Sequence, residues 1–247
     1  MEIVGSGFIA TSLAPLAGAH PGVVAAAFGV SFASGVPEAD FTREAERLYE
    51  LVRRCERRGE KLVFFSTASP AMYAVPGEPG REDGPVFPST AYGRHNLALE
   101  TVLAASGIDH LVLRLAHLVG PGQPAHLLVP SLVRQIRSGT VRLHRGARRD
   151  LLDVADLVTV LDRLLASGVN RTVVNVASGT AVPIERLVDH IEAGLGVRAV
   201  REYVSATVSQ PVSTAELHRL VPEIARIGSA DYYRRVLDKY IGEYATD

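Results

Sequence analysis

Chemistry in this 247-residue chain gathers around Tyr92-Gly93-Arg94-His95-Asn96. On a helix, Tyr92 and Asn96 stand at i and i+4 on one face, and Glu100 continues the row. A phenol held beside a fixed partner can give or take a proton. The other reading of the same residues is an aromatic cap on a core helix. His95 is either a titratable neighbour of Tyr92 or a plain surface histidine. Upstream, Ser66-Thr67-Ala68-Ser69-Pro70 sets hydroxyls after the strand-like run Lys61-Leu62-Val63-Phe64-Phe65. Open α/β sheets bind ligands at such strand ends, although Ser and Thr also serve turns for purely local reasons. Near the start, Gly5-Ser6-Gly7-Phe8-Ile9-Ala10 has G-x-G-x-x-A spacing. Its glycines suit close approach of backbone to a pyrophosphate, and Ala10 lets a helix pack close to a strand. A bare packing turn would use the same residues.

These groups need a frame, and the apolar pattern supplies one. Ile3-Val4, 23–30, 61–66, 110–118, 141–143 and 172–176 read as strands. Helices are predicted from the glycine turn through Leu13 and Leu16, over 40–58, from Tyr92 to about Ser106, near 126–138, from about Arg148 to Ala166, over 182–195 and over 231–244. Strands alternating with helices predict an α/β fold with a parallel sheet. Residues 76–88, rich in Gly, Pro and acid, read as a surface loop. A dinucleotide site should also place a carboxylate about 20 residues past its glycines, to hold the adenine ribose. The sequence offers none there: after Glu2 the next carboxylate is Glu38. No basic residue near Val30-Ser31 suits a 2′-phosphate either.

Composition narrows the classes. A formal net charge of −1 creates no field for nucleic acid or an anionic membrane. No apolar run approaches the length of a membrane span, and no basic segment precedes the first strand. One cysteine, Cys55, cannot close an internal disulfide, which fits a reducing cytoplasm. The eight histidines are scattered, and no metal-ligand cluster or G-x-S-x-G turn occurs. Only Lys61 and Lys239 are lysines, so arginine carries nearly all the positive charge.

In order along the chain, G-x-G-F-I-A, Phe65-Ser66-Thr67-Ala68-Ser69, Tyr92-Gly93-Arg94-His95-Asn96 with Glu100, Arg114-Leu115-Ala116-His117-Leu118-Val119-Gly120-Pro121-Gly122, Arg149-Asp150-Leu151-Leu152-Asp153-Val154-Ala155-Asp156 and Asn175-Val176-Ala177-Ser178-Gly179 resemble the extended short-chain dehydrogenase/reductase superfamily, in its NAD-dependent epimerase/dehydratase branch. The resemblance implies a doubly wound Rossmann-like parallel sheet over residues 1–247, with about 120–145 and 178–247 forming a small substrate-binding portion. It implies NAD or NADP held at Gly5, Gly7, Phe8, Ile9 and Ala10, and acid/base chemistry by Tyr92 with Ser69 or Thr67. His117 and Arg149 fall at substrate positions, and guanidinium geometry suits a phosphate. Asp153 and Asp156 read as helix caps. A small-molecule substrate and a homodimer through the Tyr92 helix and its neighbour are also implied.

Three departures sharpen the expectation. The family's lysine, four residues after the tyrosine, is Asn96, which carries no charge to favour phenolate. Three strands precede Tyr92 where the family has five, and the missing part is the one that cradles adenosine. His117 replaces a family asparagine that helps to hold a nucleotide-sugar. The leading expectation is an NAD(P)-dependent epimerase/dehydratase-like enzyme acting, without net redox change, on a hydroxylated or keto small molecule. A cofactor-independent lyase or dehydratase on the same scaffold, and a catalytically silent partner subunit, are the alternatives.

Overall fold

The computed structural model describes residues 1–30, 36–68, 72–73, 79–206 and 211–244. The chain runs β1 (Glu2–Val4), α1 (Phe8–Ser12), β2 (Val23–Ala26), α2 (Glu38–Arg58), β3 (Lys61–Thr67), α3 (Ala91–Ser106), β4 (His110–Leu115), β5 (His117–Val119), α4 (Leu128–Arg137) and β6 (Thr140–Arg145). It continues through β7 (Arg148–Arg149), β8 (Leu151–Asp153), α5 (Val154–Ala166), β9 (Thr172–Val176), β10 (Val182–Pro183), α6 (Ile184–Leu195), β11 (Val200–Ala206), α7 (Ala215–Leu220) and α8 (Tyr232–Tyr244).

Among the described residues five strands form the central parallel sheet, in the order β1-β2-β3-β4-β9. The mostly apolar runs of β2, β3 and β4 follow from burial on both faces, while β1, at the edge, is only partly buried. Alternation divides the side chains between two cores. Ala25, Val63, Leu111 and Leu113 face α1 and α5, through Ala10, Leu13, Leu157 and Leu161. Val24, Ala26, Leu62, Phe64 and Val112 face α2 and α3, through Leu48, Leu51, Leu99 and Leu103. The protein is therefore an α/β, Rossmann-like fold with helices on both faces of a parallel sheet.

Several boundaries differ from the pattern reading. The predicted strand 23–30 stops at Ala26, where its pairing with β3 ends, and Gly29 takes a φ of 148°. The predicted strand 110–118 divides at Ala116: β4 stays in the main sheet, while β5 leaves to pair with β8. The helix predicted from Arg148 begins only at Val154, because Asp153 caps it by accepting from the Ala155 N–H at 2.9 Å. Asp156, the other expected cap, instead accepts a 2.6 Å hydrogen bond from the Tyr232 hydroxyl. Val182–Pro183 pairs with β7 before α6 starts. Helix α1 ends after five residues and a 3₁₀ turn over Ala14–Leu16 follows, since Pro15 has no N–H to continue an α-helix.

Outside that sheet, β5 pairs with β8, β6 with β11 and β7 with β10. Helix α8 fastens the β5–β8 pair: the Tyr240 hydroxyl and Lys239 ammonium donate to the Asp153 carboxylate at 2.7 and 2.8 Å. The Tyr244 hydroxyl donates to the Gly120 carbonyl at 2.7 Å. Among the described residues no helix is long and apolar enough to cross a membrane.

Candidate active site

A cleft of about 730 Å³ opens between the carboxyl ends of the sheet strands and the β5–α4–β6 segment. Gly7, Phe8 and Ile9 line it from the glycine turn, Thr67 from the end of β3, Tyr92 and Asn96 from α3, His117 from β5 and Arg149 from β7. Strand ends and the first two turns of α3 hold most of these groups, which favours fixed geometry.

Thr90 starts α3 by accepting the Gly93 N–H at 3.0 Å, and so sets the first turn that carries Tyr92. Asn96 is only 2% exposed, and its Nδ2 donates to the Tyr92 backbone carbonyl at 3.0 Å. Burial pushes the Tyr92 phenol up to about 12, the Glu44 carboxylate adds to this, and the Asn96 amide works against it. At neutral pH the phenol keeps its proton and acts as a donor.

Ser66 and Thr67 both reach the cleft, and the Ser66 hydroxyl donates to Glu100 at 2.5 Å. Glu100 in turn holds the Arg114 guanidinium, at 2.6 Å for the shortest contact. Arg114 continues to the Tyr73 hydroxyl at 2.7 Å, which donates to Asn175 at 2.7 Å. This buried chain ties β3, α3, β4 and β9 together beneath the site. Glu100, Arg114 and Asn175 stood in the sequence motifs without a role; a carboxylate in the buried row of a helix was the signal that a cation must meet it. Ser69 lies outside the described residues.

His117 is desolvated in the cleft wall and lies near the positive Arg149, which together pull its pKa down to about 4. It is therefore a neutral imidazole at pH 7. Burial also lowers the pKa of Arg149. Beyond them, Gln123, His126, Gln135, Arg142 and His144 extend the polar lining, and sequence reasoning had not singled them out.

Three candidates lie off the cleft. His95 does not line it: the ring packs on Phe41 at 4.7 Å between centroids and stands 3.3 Å from the carboxylate of Glu44, which does. Ala10 is core. Gly5 is fixed by packing: a Cβ there would stand 2.0 Å from the Ala27 carbonyl oxygen, at a φ of 147°. A carboxylate does reach the end of β2, contrary to the sequence expectation, because α2 delivers Glu44 in space; it accepts the Val30 N–H at 3.0 Å. Arg47, one turn further along α2, lies over the Phe28 ring at 4.2 Å.

The chain is a member of the extended short-chain dehydrogenase/reductase superfamily. The model of the NAD dependent epimerase/dehydratase family matches residues 20–177, and the chain belongs to that family. It is 31% identical over 164 residues to dTDP-6-deoxy-L-talose 4-dehydrogenase (NAD(P)(+)) of Kitasatospora kifunensis, covering 62% of this chain and 51% of that protein. It is 29% identical over 158 residues to GDP-6-deoxy-D-mannose reductase of Pseudomonas aeruginosa, covering 56% and 51%. The chain thus spans about half the length of the curated relatives it matches. The structure of RMD from Pseudomonas aeruginosa complexed with NADPH superposes with a TM-score of 0.81 at 21% identity, over 99% of this chain and 98% of that one. UDP-glucose 4-epimerase of Thermus thermophilus in complex with NAD gives 0.76 at 19% identity, over 96% and 81%.

A whole dinucleotide does not fit the residues present. In the doubly wound pattern the cofactor lies across the point where strand order reverses, one mononucleotide on each half. Here the order advances from β1 to β9 without reversal, and among the described residues no strand lies beyond β1.

Proposed function

We propose that this protein is a redox-neutral enzyme that moves protons at a hydroxylated or keto small molecule, most simply the sugar of a nucleotide-sugar, by elimination or epimerisation beside a carbonyl. The observation that carries the reading is the Tyr92 phenol lining the cleft, with uncharged Asn96 one turn on where an ammonium would favour phenolate. Loss of water from a β-hydroxy carbonyl takes one proton from carbon and returns one to the departing hydroxyl, so no electrons enter or leave the protein. Tyr92 is a donor for such a transfer and neutral His117 an acceptor, while Thr67 can hydrogen-bond the substrate oxygen. Arg149 suits a phosphate of the nucleotide. The sugar-nucleotide dehydrogenase and reductase among the relatives support that substrate class.

The test is incubation with nucleotide-sugars, their 4-keto forms and simple β-hydroxy ketones in deuterated water without added cofactor, followed by NMR. Deuterium at the carbon beside the carbonyl, or a new double bond, is expected, and Tyr92→Phe should slow it by roughly a hundredfold or more. A second reading, NAD(P)-dependent oxidation or reduction, is favoured by the NADPH and NAD complexes of the structural neighbours. Turnover that begins only when NAD(P) is added would replace the first reading with the second.

A further inference from the structure

We infer that this chain has no recognition site for the adenosine half of a dinucleotide cofactor, so that whatever affinity it has for NAD(P)(H) comes from the nicotinamide mononucleotide half alone. Topology carries the argument. Both β1–α1–β2 and β2–α2–β3 join neighbouring parallel strands and step across the sheet in the same direction. Yet α1 packs on the face that holds Ala25 and Val63, and α2 on the face that holds Val24 and Leu62. Two parallel crossovers that step the same way on opposite faces have opposite hands. About 98% of such connections are right-handed, so one of these two is of the rare kind. Residues 5–22, which form the first, contain one five-residue helix and a 3₁₀ turn. They carry the chain directly to the strand that β3 pairs with, and place no strand on the outer side of β1. Among the described residues the first mononucleotide-binding half is reduced to β1.

Local details agree. The family match begins at residue 20, after the glycine turn. Gly5 is required by the Ala27 carbonyl, with no ligand needed to explain it. Glu44, the one carboxylate at the end of β2 among the described residues, already holds the Val30 N–H and stands 3.3 Å from His95. Phe28, the aromatic ring on which an adenine could stack at this end of the cleft, has the Arg47 guanidinium over it. The nicotinamide side keeps its outline, with Thr67, Tyr92 and Asn96 on one wall.

The inference is tested by calorimetry on the purified chain, with a cooperative thermal melt as the control for folding. The ligands are NADH, NADPH, reduced nicotinamide mononucleotide and ADP-ribose, each to millimolar concentration. ADP-ribose should give no binding, and both dinucleotides should match the mononucleotide within roughly fivefold. Equal absence of binding by all four agrees with the inference. Binding of ADP-ribose, or a dinucleotide advantage above that margin, overturns it; loss of the advantage in Arg47→Ala would then locate the adenosine against α2. The readout is binding without substrate, so its result is independent of the cofactor-free turnover proposed above.

Discussion

At the level of single residues, the Tyr92 proton is the quantity to measure. Burial and the Glu44 carboxylate hold it on, and the Asn96 amide only weakly opposes them. A full positive charge at position 96 would favour phenolate far more than an amide can. Asn96→Lys is therefore expected to bring the phenol down from about 12, seen in an ultraviolet titration of phenolate against Tyr92→Phe. The sign of the linked stability follows. An unfolded tyrosine titrates near about 10, so the folded state holds this proton more tightly, and the resulting stability is complete below that pH and is lost as pH climbs through about 12. Paired melts of wild type and Asn96→Lys across that window should show a smaller alkaline loss in the variant. An unchanged phenol titration would mean that Asn96 does not govern Tyr92. The Tyr92–Asn96 row could be read from sequence because i,i+4 neighbours are set by helix geometry alone. Glu44 could not, because its place beside His95 and Val30 comes from the packing of α2 against α3 and the end of β2.

Among the elements, the buried Glu100–Arg114 pair decides how α3 sits on β3 and β4. Both side chains are at most 5% exposed, and the carboxylate also accepts from Ser66. Removing one member leaves the other charge desolvated and unpaired, a loss of about 3–5 kcal/mol. Glu100→Gln should lower the denaturant midpoint accordingly, with the slope of the transition unchanged. Glu100→Met with Arg114→Met should regain a large part, since two apolar side chains leave no orphan charge. A Glu100→Gln loss below about 1 kcal/mol would show that the pair does not anchor the helix. The elements themselves were largely legible: buried parallel strands are mostly apolar, so β3, β4 and β9 announced themselves. Strand ends were not. Whether the chain stays in a sheet past Ala26 or Leu115 depends on what lies alongside, and at Ala116 the partner changes from β9 to β8.

For the whole molecule, the helices on the Leu62–Phe64 face bear on assembly. Ala98, Thr101 and Ala105 form an exposed row of small residues along α3, at helical spacing, and Tyr49 on the neighbouring helix α2 is 44% exposed. Small side chains let two helices approach closely, and a two-fold axis would pair the row with its own copy. The Thr101 hydroxyl already donates to the Leu97 carbonyl at 2.8 Å, so burying this row strands no hydroxyl proton. We propose a homodimer through α2 and α3, in keeping with the resemblance of the Tyr92 helix to its family. Tyr92 stands on the same helix, on the side that lines the cleft, so pairing would brace the helix that presents the phenol. Light scattering of the wild-type chain at micromolar concentration should give twice the monomer mass of 26.5 kDa. Ala98→Glu with Ala105→Glu should give the monomer, because four carboxylates would meet across the axis. These are exposed positions, where substitutions typically change the stability of a folded chain by less than about 0.5 kcal/mol. Circular dichroism of the double variant should therefore match the wild type while its mass halves. A wild-type chain that remains monomeric at high concentration would remove the dimer and leave the small-residue row as plain surface.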